Sequence, residues 1–227
     1  MVQLIQKPQA IAFDWDGTLA DTREVVTIAL NHTLALYGKE TWEAVRLKQR
    51  NPMKSLKENF QNFFGADAFK AYKTYLAYYR THCLQDVHPM RGAGELLQYL
   101  KQHAVSISII SNKEKSLLIS EIQNCFPNIV FNAVLGNGDA PQNKPAPDPI
   151  WTAYAMAPFD INPQNVWMVG DARVDFESAV TANCLPILIG PETLKRQIGA
   201  LAQLEKTKQA YLFKDLTDFL NHLTWDN

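Results

Sequence analysis

The apolar positions of this chain change period part-way along it. Ile11–Phe13 is a short buried run, followed by helical spacing from Asp21 or Thr22, either of which can cap a helix, to about Tyr37, where Gly38 supplies a stop. Val25, Ile28, Ala29 and Leu36 form its apolar face. Helical period continues through Trp42–Leu47, Met53–Phe64 and Ala66–Cys83, broken at Gly65, with no strand pattern between Thr41 and Cys83. The aromatic sets Phe60, Phe63, Phe64 and Tyr72, Tyr75, Tyr79 fall at helical spacing and read as the core of this helical stretch.

After Pro89 strands and helices alternate. Gly92–His103 is a helix with Leu96, Leu97 and Leu100 on one face, and Val105–Ile110 is a strand. Helix Lys113–Cys125, strand Ile129–Leu135, helix Asp148–Met156, strand Val166–Val169 and helix Arg173–Ala182 follow. Strand Leu185–Ile189, helix Glu192–Leu204, strand Tyr211–Phe213 and helix Leu216–Leu223 complete the series. Such alternation predicts an α/β fold, a Rossmann-like parallel sheet with helices on both faces and its site beyond the carboxyl ends of the strands. The helical stretch interrupts the alternation just after the first strand. It is therefore expected to be an inserted α-helical cap over residues 21–87, on a core of residues 1–20 and 88–227, with hinges near Gly17–Asp21 and Asp86–Met90.

Composition narrows the classes. With 47% hydrophobic and 20% charged residues in 227, the chain can bury a sizeable core. A net charge of −1 gives no global attraction to nucleic acid or an anionic membrane. Cys83, Cys125 and Cys184 are widely spaced and suggest neither a disulfide framework nor a zinc site. No signal-peptide core or run of about 20 apolar residues occurs, so a cytoplasmic protein is expected.

Candidate chemistry collects at strand ends. Asp14 and Asp16, two apart on an extended segment, face the same side before Gly17 turns the chain and Thr18 adds a hydroxyl. Ser111-Asn112 ends the second strand and offers a hydroxyl and N–H groups to an anion. Lys144 lies in NKPAPDP, a segment stiffened by three prolines. Asp171 and Asp175 follow the apolar run VWMV and Gly170. Four carboxylates would repel one another and any phosphate, a conflict that Mg²⁺, which takes oxygen ligands, resolves.

DWDGT, the strand-terminal Ser-Asn, the lysine of KPAPDP and GDARVD, in this order and spacing, resemble the four motifs of the haloacid dehalogenase-like (HAD) hydrolase superfamily. The resemblance covers essentially the whole chain, and the insertion resembles the helical type 1 cap of the phosphoglycolate phosphatase and beta-phosphoglucomutase branch. It implies Asp14 as nucleophile through an aspartyl-phosphate, and Asp16 as acid and then base with its backbone carbonyl on the metal. Ser111, Lys144 and the Asn112 N–H would hold the phosphoryl group; Asp171 would bind Mg²⁺ directly, and Asp175 through a bound water or by orienting Lys144. Dehalogenases of the superfamily lack the second acid and phosphonatases carry Ala there, so Asp16 implies cleavage of phosphate esters. Ala172 replaces a common Thr or Ser, and Asn183 stands where a glycine usually ends the helix.

The basic loop LKQRNPMKSL, with Lys48, Arg50, Asn51 and Lys54, is the candidate reader of substrate, Arg50 pairing with a second anionic group. The expected partner is a small phosphorylated metabolite, phosphoglycolate or a sugar phosphate. A phosphomutase of the same superfamily is an alternative, as is a binding or regulatory protein of this fold with little activity, against which the intact Asp14, Asp16, Lys144 and Asp171 argue.

Overall fold

The computed structural model describes residues 7–157, 160–190, 210–223 and 225. Among them, strands β1 (Ala10–Phe13), β4 (Ser106–Ile110), β5 (Ala133–Leu135), β6 (Val166–Gly170), β7 (Leu185–Ile189) and β8 (Tyr211–Phe213) form one parallel sheet in the order β5-β4-β1-β6-β7-β8. β1 lies between β4 and β6, with Phe13 opposite Ile109 on one side and Val169 on the other. Ile11, Ala12 and Phe13 are wholly buried, as a strand covered on both faces requires. The strand order reverses at β1, so the segment after Phe13 emerges at the crevice where such sheets place their ligands.

Helices α1 (Arg23–Leu36), α2 (Trp42–Gln49), α3 (Leu56–Phe64) and α4 (Ala68–His82) pack on one another as the inserted helical cap. Phe60, Phe63, Phe64, Tyr75 and Tyr79 fill its centre. Helices α5 (Ala93–Gln102), α6 (Lys115–Cys125), α7 (Asp148–Ala155), α8 (Arg173–Thr181) and α9 (Leu216–Asn221) belong to the alternating part. On α5, Leu96, Leu97 and Leu100 are all fully buried, as their spacing predicts.

The differences from the sequence-based expectations have local causes. A two-residue antiparallel ladder, β2 (Ala20–Asp21) with β3 (His88–Pro89), joins the two expected hinges and is too short to leave a period. The strand expected from Ile129 begins only at Ala133, and Val130 is 85% exposed. Helix α3 starts at Leu56 rather than Met53, because Ser55 and Glu58 form a capping box there. On α1, Ile28 and Leu36 are exposed, while Val25, Ala29, Leu30 and Leu34 face the core. Thr22 precedes α1, but its hydroxyl makes no helix cap and donates to Asp16 instead. Asn183 ends the α8 turn with φ 61°, the left-handed geometry expected of it. The helix expected over Glu192–Leu204 lies outside the described residues. Among the described residues no helix is long and apolar enough to cross a membrane.

Candidate active site

Three carboxylates and one ammonium meet beyond the carboxyl ends of β1 and β6. Asp14, Asp171 and Asp175 each offer an oxygen, and these oxygens lie within 4.8 Å of one another. Lys144 Nζ donates to Asp14 Oδ1 and to Asp175 Oδ1, each at 2.7 Å, and only 2% of the lysine side chain is exposed. The backbone permits this crowding through two glycines. A Cβ on Gly170 would stand 2.4 Å from the Asp175 side chain, and one on Gly17, whose φ is +83°, would stand 2.6 Å from an Asp171 oxygen.

Each of these side chains is fixed by its own element. Asp14 N–H donates to Val169 O at 2.8 Å, continuing the β1–β6 pairing one residue past the strand. Asp175 Oδ2 accepts from Ala172 N–H at 3.0 Å, which pins it to the first turn of α8. Asn112 secures the lysine loop: its Nδ2 donates to Lys144 O at 2.7 Å and its Oδ1 accepts from Lys144 N–H at 3.0 Å. The Asn112 side chain is therefore used to position Lys144, and its expected role toward an anion rests on its backbone N–H. Ser111 is buried, accepts from Lys113 N–H at 3.1 Å and faces the same cavity as Asp14 and Lys144. Thr18, fully buried, places its hydroxyl 3.4 Å from Asp14 Oδ2.

The electrostatics show that one cation is too few. Burial pushes the Asp14 carboxyl up, Lys144 pulls it down, and Asp175 and Asp16 push it up again, leaving it at about 7. Asp171 is held well above the usual carboxylate range by burial and then by Asp14 and Asp175. Burial opposes the charge on Lys144, but Asp14 and Asp175 outweigh it and raise its pKa. Three converging carboxylates against one ammonium form an oxygen-only set with surplus negative charge, which fits a hard divalent cation.

Asp16 stands apart from that cluster. Its Oδ1 accepts from Thr22 Oγ1 at 2.6 Å and from Lys113 Nζ at 2.5 Å, and over a third of its side chain is exposed. Sequence reading missed the partner network behind it. Lys113 also pairs with Glu121 at 3.0 Å, and Glu121 accepts from Trp15 Nε1 and Tyr79 OH, both at 2.6 Å. One signal was available: Glu121 follows Leu117 and Leu118 at helical spacing on the buried face of α6, where a carboxylate needs partners. Tyr79 is thus more than cap core.

A cavity of about 360 Å³ lies over these groups, lined on the far side by Arg50, Lys54, Trp42, Tyr72 and Tyr75 of the cap. Arg50 lies 6.0 Å from the Trp42 ring centroid; its pKa is lowered by partial burial and by Arg46, against the pull of Asp171. The loop carrying Arg50 is clamped by buried Asn59, which accepts from Asn51 N–H at 2.7 Å and donates to the carbonyls of Asn51, Lys54 and Ser55. Lys48 points elsewhere and pairs with Glu40 at 2.8 Å.

Residues 11–189 match the family model described as haloacid dehalogenase-like hydrolase. The chain belongs to this family. Among its relatives, the phosphoglycolate phosphatase of Neisseria gonorrhoeae is 27% identical over 93% of this chain and 98% of its own length. The pyrophosphatase PpaX of Bacillus mycoides is 25% identical over 94% of this chain and 96% of its own. CbbY from Rhodobacter sphaeroides, solved in complex with phosphate, shares the fold with a TM-score of 0.74 at 20% identity, covering 95% of this chain and 99% of that one. The family and these relatives make the chain a phosphatase, a phosphoric monoester hydrolase.

Proposed function

We propose that this phosphatase, a phosphoric monoester hydrolase, is Mg²⁺-dependent and acts on a small phosphorylated metabolite of the phosphoglycolate or sugar phosphate class, with Arg50 placed to pair with a second anionic group where the substrate carries one. The observation that carries the reading is the pairing of Asp14 with Lys144 inside a carboxylate cluster that faces a cavity also lined by Arg50 and Lys54. Residues 1–20 and 88–227 would be the catalytic core and 21–87 the cap, the β2–β3 ladder marking both crossings.

In this reading Asp14 attacks phosphorus and the bond to the leaving alkoxide breaks while Asp16 gives that oxygen a proton. The aspartyl-phosphate on Asp14 is then cleaved by a water whose proton passes to Asp16, returning both carboxylates to their starting states. Lys144 and Ser111 hold the oxygens of the transferring group, with the Asn112 N–H as a further donor. Asp14, Asp171 and Asp175, and the backbone carbonyl of Asp16, would hold the cation. When bound, Mg²⁺ offsets the charge of the carboxylates and the phosphoryl oxygens.

A phosphate-release screen over phosphorylated metabolites, with pyrophosphate included, tests the reading. Treatment with EDTA is expected to stop turnover and added Mg²⁺ to restore it; activity that survives chelation would refute the site. Arg50→Ala is expected to raise KM about 10-fold or more for the preferred substrate and less for an aryl phosphate lacking a second anionic group. Equal changes for the two substrates would remove the proposed role of Arg50.

A further inference from the structure

Glu121 is a buried carboxylate that the chemistry above does not use. It is fully buried on α6, between Leu117, Leu118 and Ile122, which line the same apolar face. A lone carboxylate there would be strongly unfavourable, and its surroundings satisfy it completely. Oε2 accepts from Trp15 Nε1 at 2.6 Å; Oε1 accepts from Tyr79 OH at 2.6 Å and pairs with Lys113 Nζ at 3.0 Å. Lys113, whose side chain is 6% exposed, reaches past Glu121 to Asp16 Oδ1 at 2.5 Å. Its ammonium also lies 5.4 Å from the Tyr79 ring centroid.

The placement of these partners matters. Buried ion pairs contribute little net stability, since desolvation offsets attraction, so their use is better sought in what they hold. Here they hold a segment: Trp15 stands between Asp14 and Asp16 in the chain, and Lys113 follows the Ser111-Asn112 strand end. Tyr79 comes from cap helix α4. One carboxylate therefore joins the catalytic loop, the core helix α6 and the cap, and the lysine it steadies touches Asp16.

We propose that Lys113, steadied by Glu121, is a positioning residue that aims the Asp16 carboxyl at the leaving oxygen of the substrate. The inference rests on the reading of Asp16 as the acid. If Lys113 acts in this way, its value depends on how much the leaving oxygen needs a proton. An alkoxide is a strong base and depends on the acid; p-nitrophenolate leaves without one.

The experiment compares p-nitrophenyl phosphate with the alkyl phosphate turned over fastest among phosphoglycolate, glycerol 1-phosphate and sugar phosphates, at saturating Mg²⁺. The chains compared are the natural protein, Asp16→Asn, Lys113→Met, Lys113→Arg and the double variant Lys113→Met/Glu121→Gln. The double variant removes both buried charges together and so guards against a misfolded single variant. Lys113→Met and the double variant are expected to lose kcat/KM on the alkyl phosphate by a factor on the order of 10 to 100 beyond their loss on the aryl one; kcat/KM is compared because it reports departure of the leaving group, whereas the later attack of water is common to both esters. Lys113→Arg is expected to recover part of the difference, and Asp16→Asn to show the same substrate bias in larger measure. Equal losses on both substrates in the two Lys113→Met chains, while Asp16→Asn keeps its bias, would overturn the role of Lys113 and leave the acid in place. Absence of turnover of either ester by the natural protein would overturn the phosphatase reading and this inference with it.

Discussion

Asp14→Asn is expected to lower kcat for phosphate release by at least ~10³-fold, because the amide cannot attack phosphorus, while the fold survives. The expectation of a stable variant follows from the charges around the residue. Asp14 is buried against Asp171 and Asp175, and its carboxyl is pushed up to about 7 from an ordinary 3.8. A carboxyl raised on folding contributes stability that is full below the unfolded pKa and lost as pH rises through the folded one. In metal-free protein at pH 8 the ionised Asp14 therefore weighs against the folded state, and the amide does not. Thermal unfolding in EDTA should show Asp14→Asn at least as stable as the natural chain at pH 8, with its relative advantage shrinking toward pH 5. Lys144 retains Asp175 as a partner at 2.7 Å, so no unpaired ammonium is created. A variant with undiminished turnover would remove Asp14 from the chemistry.

Lys144→Met is expected to damage both activity and stability. The ammonium is the common partner of Asp14 and Asp175, and its removal leaves two buried carboxylates without their cation. Breaking a buried pair from one side costs about 3–5 kcal/mol, and the loss of a donor aimed at a developing charge costs about 10²–10³ in kcat. A divalent cation takes over part of the neutralising role, so the drop in Tm should be smaller with Mg²⁺ than in EDTA. The two variants thus part company: one is inactive and stable, the other inactive and destabilised. A Lys144→Met protein with the Tm and kcat of the natural chain would contradict the cluster as described.

The contrast also separates what the amino-acid sequence makes visible from what only the folded chain does. Asp14, Lys144, Asp171 and Asp175 are legible because each follows an apolar strand run or lies in a proline-stiffened loop, and a parallel sheet brings its strand ends to one edge. The meeting of three of those carboxylates within 4.8 Å is the consequence. Asp16 was legible as a residue, but its partners were not: Trp15 and Glu121 are 106 positions apart, and no local period encodes their contact. At Asn112 the sequence shows a hydroxyl neighbour and an N–H, whereas the side-chain amide is matched in both donor and acceptor to the Lys144 backbone. The β2–β3 ladder at the foot of the cap went unseen because two residues per strand leave no alternation to count. Ile28 and Leu36 continue an apolar period onto a face of α1 that is exposed, a reminder that spacing locates a stripe better than its edges.

The central claim is that Asp14 carries the phosphoryl group, and trapping that species tests it most directly. The protein is mixed with its preferred substrate and Mg²⁺, quenched during turnover with borohydride, which reduces an acyl phosphate to the alcohol, and mapped by peptide mass spectrometry. Reduction at Asp14, dependent on both substrate and Mg²⁺ and missing in Asp14→Asn, is the predicted result. Steady phosphate release with Asp14 unreduced and the label on another side chain would contradict it.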